Sequence, residues 1–391
     1  MKFSFGKLFN LSAIGLGPKK QSVVGIDIGL SSIKAVQLRL EKGVAILETY
    51  GEIALGPYVK LAISQAANVT DEQLIEATRD LFKEANITTN RAALGLPLKS
   101  SLLQVIELPA YDEKRLAEMI PLEARKYIPV PTSEVMLDWW TLPKHTFSSP
   151  DDNVLPTAQI ATPRENVEIL VVAIHNATIE QYRKIADRLK LVSNSLEVEA
   201  FSAIRSTIGH ELSPVVILDM GAATTKMIIV DYGIVRVSHT INKGAQDITL
   251  SLARSLNIPF EQAEKLKRAE GVEMTGDGNS RVSTLARSEM GDTKAIVSST
   301  LEYIFFEANR VLVDYQRRHG RVISRVVLIG GGALLKGIIS VAQKSMQVPV
   351  TLGEPFQKVQ APAFLGEVLK EIGPEFAIAT GLALRGLQEQ G

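Results

Sequence analysis

Two stretches of this chain carry one pattern in the same register. Both "VVGIDIGLSSIKAVQL" (Val23–Leu38) and "VVILDMGAATTKMIIV" (Val215–Val230) end an apolar run in an aspartate, add a glycine two residues on, then a hydroxyl residue and a lysine. Asp27, Gly29, Ser32 and Lys34 thus match Asp219, Gly221, Thr224 and Lys226. Each copy is predicted to form a buried strand, a tight turn and a second strand. One Asp-x-Gly alone is ordinary hairpin chemistry, the aspartate bonding locally and the glycine taking positive φ. Two copies in register, each closing a buried strand, constrain the chain to a duplicated architecture with equivalent turns. They also pose a problem, because a carboxylate buried without a partner costs several kcal/mol. Asp219 must therefore face something polar.

Phosphate chemistry answers that need. Glycine and small residues at the turns, Gly29 in one copy and Gly221, Ala222 and Ala223 in the other, let backbone N–H groups approach phosphate oxygens that a bulky Cβ would hold away. Ser31, Ser32, Thr224 and Thr225 add hydroxyl donors, and Asp27 and Asp219 can hold Mg²⁺ through its water shell. Two such hairpins, one in each half of the chain, would clamp a polyphosphate between them. A base and ribose site is offered by "RVVLIGGGALLKGI" (Arg325–Ile338), a strand ending in Gly330, Gly331 and Gly332 and followed by a helix. It is not GxGxxG, since Leu335 holds the last position, and no GxxxxGK occurs. Close strand-to-helix packing is the other reading of these glycines. In "IPFEQAEKLKRAEG" a helix starts at Pro259, and Glu264 and Lys267 share a face where they could grip ribose hydroxyls or simply pair with each other. Gly244 completes the candidate nucleotide-binding set with Lys34 and Leu335.

Composition excludes several other chemistries. With no cysteine and five scattered histidines, neither a disulfide nor a nitrogen- or sulfur-ligated metal is expected. Lys+Arg and Asp+Glu both number 43, so no global field favours nucleic acid, and none is expected as a partner. At 391 residues and 46% apolar content the chain can build two or more cores. No apolar run reaches the roughly 20 residues that span a bilayer, which places the protein in the cytoplasm. Residues 1–20, "MKFSFGKLFNLSAIGLGPKK", carry four lysines, three phenylalanines and no acid, and read as a flexible leader or as a membrane-surface helix.

Paired phosphate hairpins followed by a glycine-rich turn resemble the actin-like ATPase superfamily, which includes actin, sugar kinases, heat-shock chaperone ATPase domains, MreB and FtsA. The resemblance runs from Val23 to the C-terminus. It implies an α/β, two-lobed fold of duplicated ribonuclease-H-like domains with ATP and Mg²⁺ in the cleft. It also implies two connecting helices under the nucleotide, matched by the small-residue stretches "LEVEAFSAIRS" (Leu196–Ser206) and "FAIATGLALRGL" (Phe376–Leu387). In MreB-like proteins a glutamate of the first such helix positions the attacking water. Aligning "EAFSAI" gives Glu199 that catalytic role, with a helix-start glutamate favoured by the macrodipole as the alternative.

Between the hairpins, "IELPAYDEKRLAEMIPLEARKYIPVPTSEVMLDWWTL" resembles the inserted small α+β subdomain of FtsA and of the PilM family, through Tyr127, Ile128, Pro129, Pro131, Val135 and Asp138. That resemblance implies a cytoplasmic component of type IV pilus assembly, peripheral on the inner face of the cytoplasmic membrane. It further implies capture of the N-terminal peptide of a PilN-like single-span protein, contacts with other pilus assembly proteins, and self-association as an open question. The expected division is a leader (1–20), a first lobe (21–91, 191–213 and 367–391), an inserted subdomain (92–190) and a second lobe (214–366). Pro121 is read as a helix restart and 143–163 as a flexible insertion. "KAIVSSTLEYIFFEANRVLVDYQRRHG" is expected to be a core helix of the second lobe. Two rival functions share the fold: a filament-forming division or shape protein, and a small-molecule kinase, for which no spare acidic motif supplies a general base. ATP binding is expected, with at most slow or partner-dependent hydrolysis.

Overall fold

The computed structural model describes residues 21–143, 166–272 and 284–389, so the leader and most of the 143–163 insertion lie outside the described residues. Strands β1 (Gln21–Ile28) and β2 (Ser32–Glu41) form the first hairpin, and β3 (Val44–Ala54) extends it. Helix α1 (Asp71–Glu84) begins at a capping box in which Thr70 and Gln73 satisfy each other's backbone N–H groups. Its apolar stripe, Leu74, Ile75 and Leu81, packs on Ile26, Ala35 and Leu94. Strand β4 (Arg91–Leu96) then lies parallel to β1.

The chain next leaves this sheet. Strands β5 (Ser101–Pro109), β6 (Val135–Thr141) and β7 (Asn166–His175) make a separate antiparallel sheet in the order β5-β7-β6, and helix α2 (Glu113–Ala124) covers it through Leu116, Ile120 and Ala124. α2 runs unbroken through Pro121, so the expected restart there is wrong. Ile120 and Ala124, both buried, hold the last turn against the sheet and offset the missing backbone donor. Helix α3 (Asn176–Arg188) and strand β8 (Val192–Val198) return to the first sheet, and helix α4 (Glu199–Thr207) follows.

The second half repeats the first. Strands β9 (Val215–Met220), β10 (Thr225–Asp231) and β11 (Ile234–Ile241) form the second hairpin and its extension. Helices α5 (Ala245–Ser255), α6 (Phe260–Glu270) and α7 (Thr284–His319) lead to β12 (Arg325–Ile329), then α8 (Ile338–Met346) and β13 (Val350–Leu352). Helices α9 (Gly366–Ile372) and α10 (Ala377–Gln388) close the chain. The sheet orders are β3-β2-β1-β4-β8 and β11-β10-β9-β12-β13, an antiparallel hairpin flanked by parallel strands in both. On α7, Leu301, Ile304, Phe305, Ala308, Leu312 and Tyr315 are buried in the second core, as their helical spacing requires.

Sheet pairing differs from the expected division in two places. β4 pairs with β1 and β8, and α3 packs its Ile179, Tyr182 and Ile185 into the first sheet's core, although α3 and all of β4 but Arg91 lie within 92–190. The separate sheet therefore spans Ser101–His175. Likewise Phe356 and Val359 pack with Val36 and Leu38, and Gln360 bridges Ile46, although they lie within 214–366. Helices α4 and α10 cross between the two sheets, where a Cβ on Gly381 would sit 1.9 Å from the Ser202 carbonyl oxygen. Among the described residues no helix is long and apolar enough to cross a membrane.

A cleft between the paired hairpins

Hairpin register explains why aspartate and lysine recur seven residues apart. In β1-β2 Asp27 sits opposite Lys34, and in β9-β10 Asp219 sits opposite Lys226. Residues directly opposite on antiparallel strands point to the same face, so each turn carries an acid and a base side by side. The turns are built alike: the Gly29 N–H donates to the Ser32 carbonyl and the Gly221 N–H to the Thr224 carbonyl, both at 3.0 Å. Both open onto one cavity of about 480 Å³.

That cavity gathers most of the sequence-predicted residues. Asp27, Gly29, Ser31, Ser32 and Lys34 line it from one side and Asp219, Gly221, Ala222, Ala223 and Thr224 from the other. Gly330, Gly331, Gly332 and Leu335 line a third wall, and Glu264, Lys267 and Glu199 also face in. Two predicted residues do not. Thr225 is the first residue of β10 and points away from the cleft, its hydroxyl donating to the Lys243 carbonyl at 2.9 Å. Gly244 caps α5 behind the second turn, where a Cβ would stand 2.4 Å from the Ala222 carbonyl oxygen. It acts by closeness: Ala245 and Gln246 donate their N–H groups to the Gly221 and Ala222 carbonyls, which holds the turn on the start of α5.

The glycine-rich turn shapes the cleft in the same way. Gly330 has φ +82°, and a Cβ there would meet an Asp219 carboxylate oxygen at 2.5 Å. Only glycine leaves that carboxylate clear. The rim of the cavity adds cations that no sequence motif marks, Lys99, Arg268 and Lys336.

The floor is an ion cluster. Lys226 Nζ lies 2.8 Å from Glu199 Oε2 and 3.1 Å from Asp219 Oδ2, so the partner of the buried Asp219 is a lysine. Burial works against the charge on Lys226, yet the Glu199 and Asp219 carboxylates hold its pKa above the ordinary lysine range. Lys34 instead bonds Glu52 at 2.8 Å and the Ser32 hydroxyl at 2.7 Å. Glu264 and Lys267 pair at 2.7 Å, and Thr249 bonds both of them, donating to Glu264 at 2.6 Å and accepting from Lys267 at 2.9 Å. Among the described residues no base forms an ion pair with Asp27, because its cross-strand neighbour Lys34 is held by Glu52. Burial and then the Glu199 charge push its pKa up to about 7.

Among the described residues no group of three or more acidic or histidine side chains could hold a metal ion. Asp27 and Asp219 on facing turns are the right chemistry for a hydrated Mg²⁺ shared with phosphate oxygens, which needs only one or two carboxylates.

The Asp27 shift has a measurable consequence. From about pH 4 to about pH 7 the folded protein keeps a proton on Asp27 that the unfolded chain has lost, so stability falls as pH rises through that window and levels off above it. Melting temperatures of the ligand-free protein across this range are expected to show that decline, and Asp27→Asn is expected to flatten it. An identical pH profile in wild type and variant would contradict the raised pKa of this carboxyl.

The comparisons with known proteins agree with this geometry. A family model described as Type IV pilus assembly protein PilM matches residues 25–387. The cell division protein FtsA of Borreliella burgdorferi is 20% identical over 392 residues, covering 94% of this chain and 91% of that protein. Among solved structures, a PilM-PilN type IV pilus biogenesis complex matches with a TM-score of 0.73 and 24% identity, over 94% of this chain and 99% of that one. MreB5 of Spiroplasma citri bound to AMPPNP matches with a TM-score of 0.51 and 11% identity, over 95% and 98%. With its paired hairpins, duplicated sheets and this near full-length match, the chain has the actin-like ATPase fold and belongs to the PilM family of type IV pilus assembly proteins.

Proposed function

We propose that this protein is an ATP-binding component of the type IV pilus assembly platform, working on the cytoplasmic face of the inner membrane and held there by the N-terminal peptide of a PilN-like single-span protein. The observation that carries the nucleotide half is the meeting of two equivalent hairpin turns across one cavity of about 480 Å³. In this reading the turn N–H groups and the Ser31, Ser32 and Thr224 hydroxyls bind phosphate oxygens, with Lys34 supplying positive charge. Asp27 and Asp219 hold the waters of Mg²⁺, which when bound would neutralise phosphate charge. Glu264 and Lys267 face the ribose, and Gly330, Gly331, Gly332 and Leu335 face the base. Glu199 is the candidate for directing a water, so Glu199→Ala is expected to leave ATP affinity nearly intact while removing any hydrolysis.

Support for the partner half comes from the PilM-PilN neighbour and from a sheet edge on which no further strand pairs among the described residues. β6 is the outer strand of the order β5-β7-β6, and an extended peptide can add to such an edge. Among the described residues one buried carboxylate oxygen of Asp138 on β6 has no hydrogen-bond partner, which suits a polar group of an incoming chain. The test is co-purification from membranes. Protein lacking residues 1–20 is expected to stay with the PilN-like protein, and Asp138→Ala to lose at least tenfold in affinity for its N-terminal peptide. Release from membranes by the truncation alone, with the partner present, would show that the cationic leader is the anchor. The FtsA likeness supports a second reading, assembly into filaments, which ATP-dependent sedimentation of the purified protein would reveal.

A further inference from the structure

The two hairpins carry the same lysine, yet the structure puts the two lysines to different uses. Sheet register supplies the reason. Lys34 lies opposite Asp27 on one side and Glu52 of β3 on the other, and it bonds Glu52. Lys226 lies opposite Asp219, but its other neighbour, on β11, is Thr240. With no acid on that strand, Lys226 reaches Glu199 at the start of α4. Its two partners therefore belong to different elements, strand β9 and the connecting helix α4.

Glu199 is fully engaged by this arrangement. Its Oε2 accepts from Lys226 at 2.8 Å and its Oε1 accepts from the Leu98 N–H at 2.5 Å, and the residue is buried. We infer that Lys226 is a positioning residue that ties Glu199 into an ion pair and so restrains hydrolysis of bound nucleotide; this inference rests on the nucleotide-binding reading above. Hydrolysis forms a bond from a water oxygen to the terminal phosphorus, breaks the bond to the ADP oxygen, and passes a water proton to an acceptor. A carboxylate paired with an ammonium at 2.8 Å holds its charge toward that ammonium, and accepting a proton dissolves the pair. Turnover then depends on freeing Glu199 from Lys226, whose ammonium is the cation between Asp219 and Glu199.

Four variants test this: Lys226→Met, Lys226→Arg, Lys226→Gln and Lys226→Met combined with Glu199→Gln. Two readouts are needed, single-turnover ATP hydrolysis and Mn²⁺ binding without nucleotide, followed by loss of the free-ion paramagnetic resonance signal. Lys226→Met is expected to hydrolyse bound ATP at least tenfold faster than wild type, and to bind Mn²⁺ at least tenfold more tightly, because Asp219 and Glu199 have lost the cation that pairs with both. Lys226→Arg restores the charge and is expected to reverse most of both changes, which a general packing role for the lysine stem does not predict. Adding Glu199→Gln is expected to abolish the gain in hydrolysis. Lys226→Gln keeps hydrogen bonding without charge and serves in place of the methionine variant if that fails to fold. Unchanged or slower turnover in a variant that still binds ATP overturns the inference, as does unchanged Mn²⁺ binding. Failure of wild type to bind ATP would sink the nucleotide reading instead, and the Mn²⁺ measurement would still decide whether Lys226 is the internal cation.

Discussion

Gly381→Ala is expected to destabilise the protein by about 3 kcal/mol or more, although it places alanine in the middle of a helix. A Cβ at 381 would lie 1.9 Å from the Ser202 carbonyl oxygen and 2.5 Å from the Ser202 carbonyl carbon. Both atoms are backbone of α4, so no rotamer change relieves the clash and the helices must part. Overpacking costs about 1–3 kcal/mol where side chains can shift, and more where they cannot. The gain from removing a helical glycine is only about 1 kcal/mol. α10 has no room to retreat, because a Cβ on Gly25 of β1 would lie 2.0 Å from the Ala379 carbonyl oxygen on its other side. Urea unfolding measures the loss. Gly209→Ala, whose added Cβ meets nothing within 4 Å, is the control and is expected to stay within about 0.5 kcal/mol of wild type. Similar midpoints for the two variants would mean that the helices do not cross this closely.

Arg205→Met is expected to cost about 3–5 kcal/mol, the range for stripping one partner from a buried ion pair. The Glu197 side chain is 1% exposed and that of Arg205 9%. The guanidinium donates one N–H to each carboxylate oxygen, both at 2.6 Å, and a further one to the Gly381 carbonyl at 3.1 Å. Ser202 donates to the same carboxylate at 2.5 Å. Without the arginine, Glu197 keeps a buried charge with one hydroxyl for company. Arg205→Lys recovers only part, since an ammonium cannot reproduce the planar fork. The double variant Arg205→Met/Glu197→Leu is expected to regain most of the stability, because it is the uncompensated charge that is costly. A single variant as stable as wild type would show that the pair is solvated. These residues matter to function because α4 carries Glu199 at its first turn, two residues beyond Glu197.

The hairpins were legible in the sequence because repetition raises a weak motif above chance, and the small-residue helices because close crossing demands glycine at a definable place. Residue roles within the hairpins were less legible. Ser32 and Thr224 face the cavity, whereas Thr225 opens β10 and points the other way, since strand residues alternate between faces. The same geometry hid Lys226. The repeat shows a lysine seven residues after each aspartate, but only cross-strand register shows that Glu52 engages one lysine while Thr240 leaves the other to reach Glu199. The extent of the inserted sheet was missed for a longer-range reason. β4 and β8 pair in parallel although residues 97–191 lie between them, and no local pattern announces such a partnership.

The cleft between the hairpins is expected to take Mg-ATP, which calorimetric titration of ATP into the purified protein measures. Wild type is expected to bind one ATP with an affinity that drops at least tenfold when Mg²⁺ is chelated, and Asp219→Asn to lose at least tenfold of the affinity measured with Mg²⁺. No heat of binding to wild type, or tight binding indifferent both to Mg²⁺ and to the Asp219 change, would contradict the account.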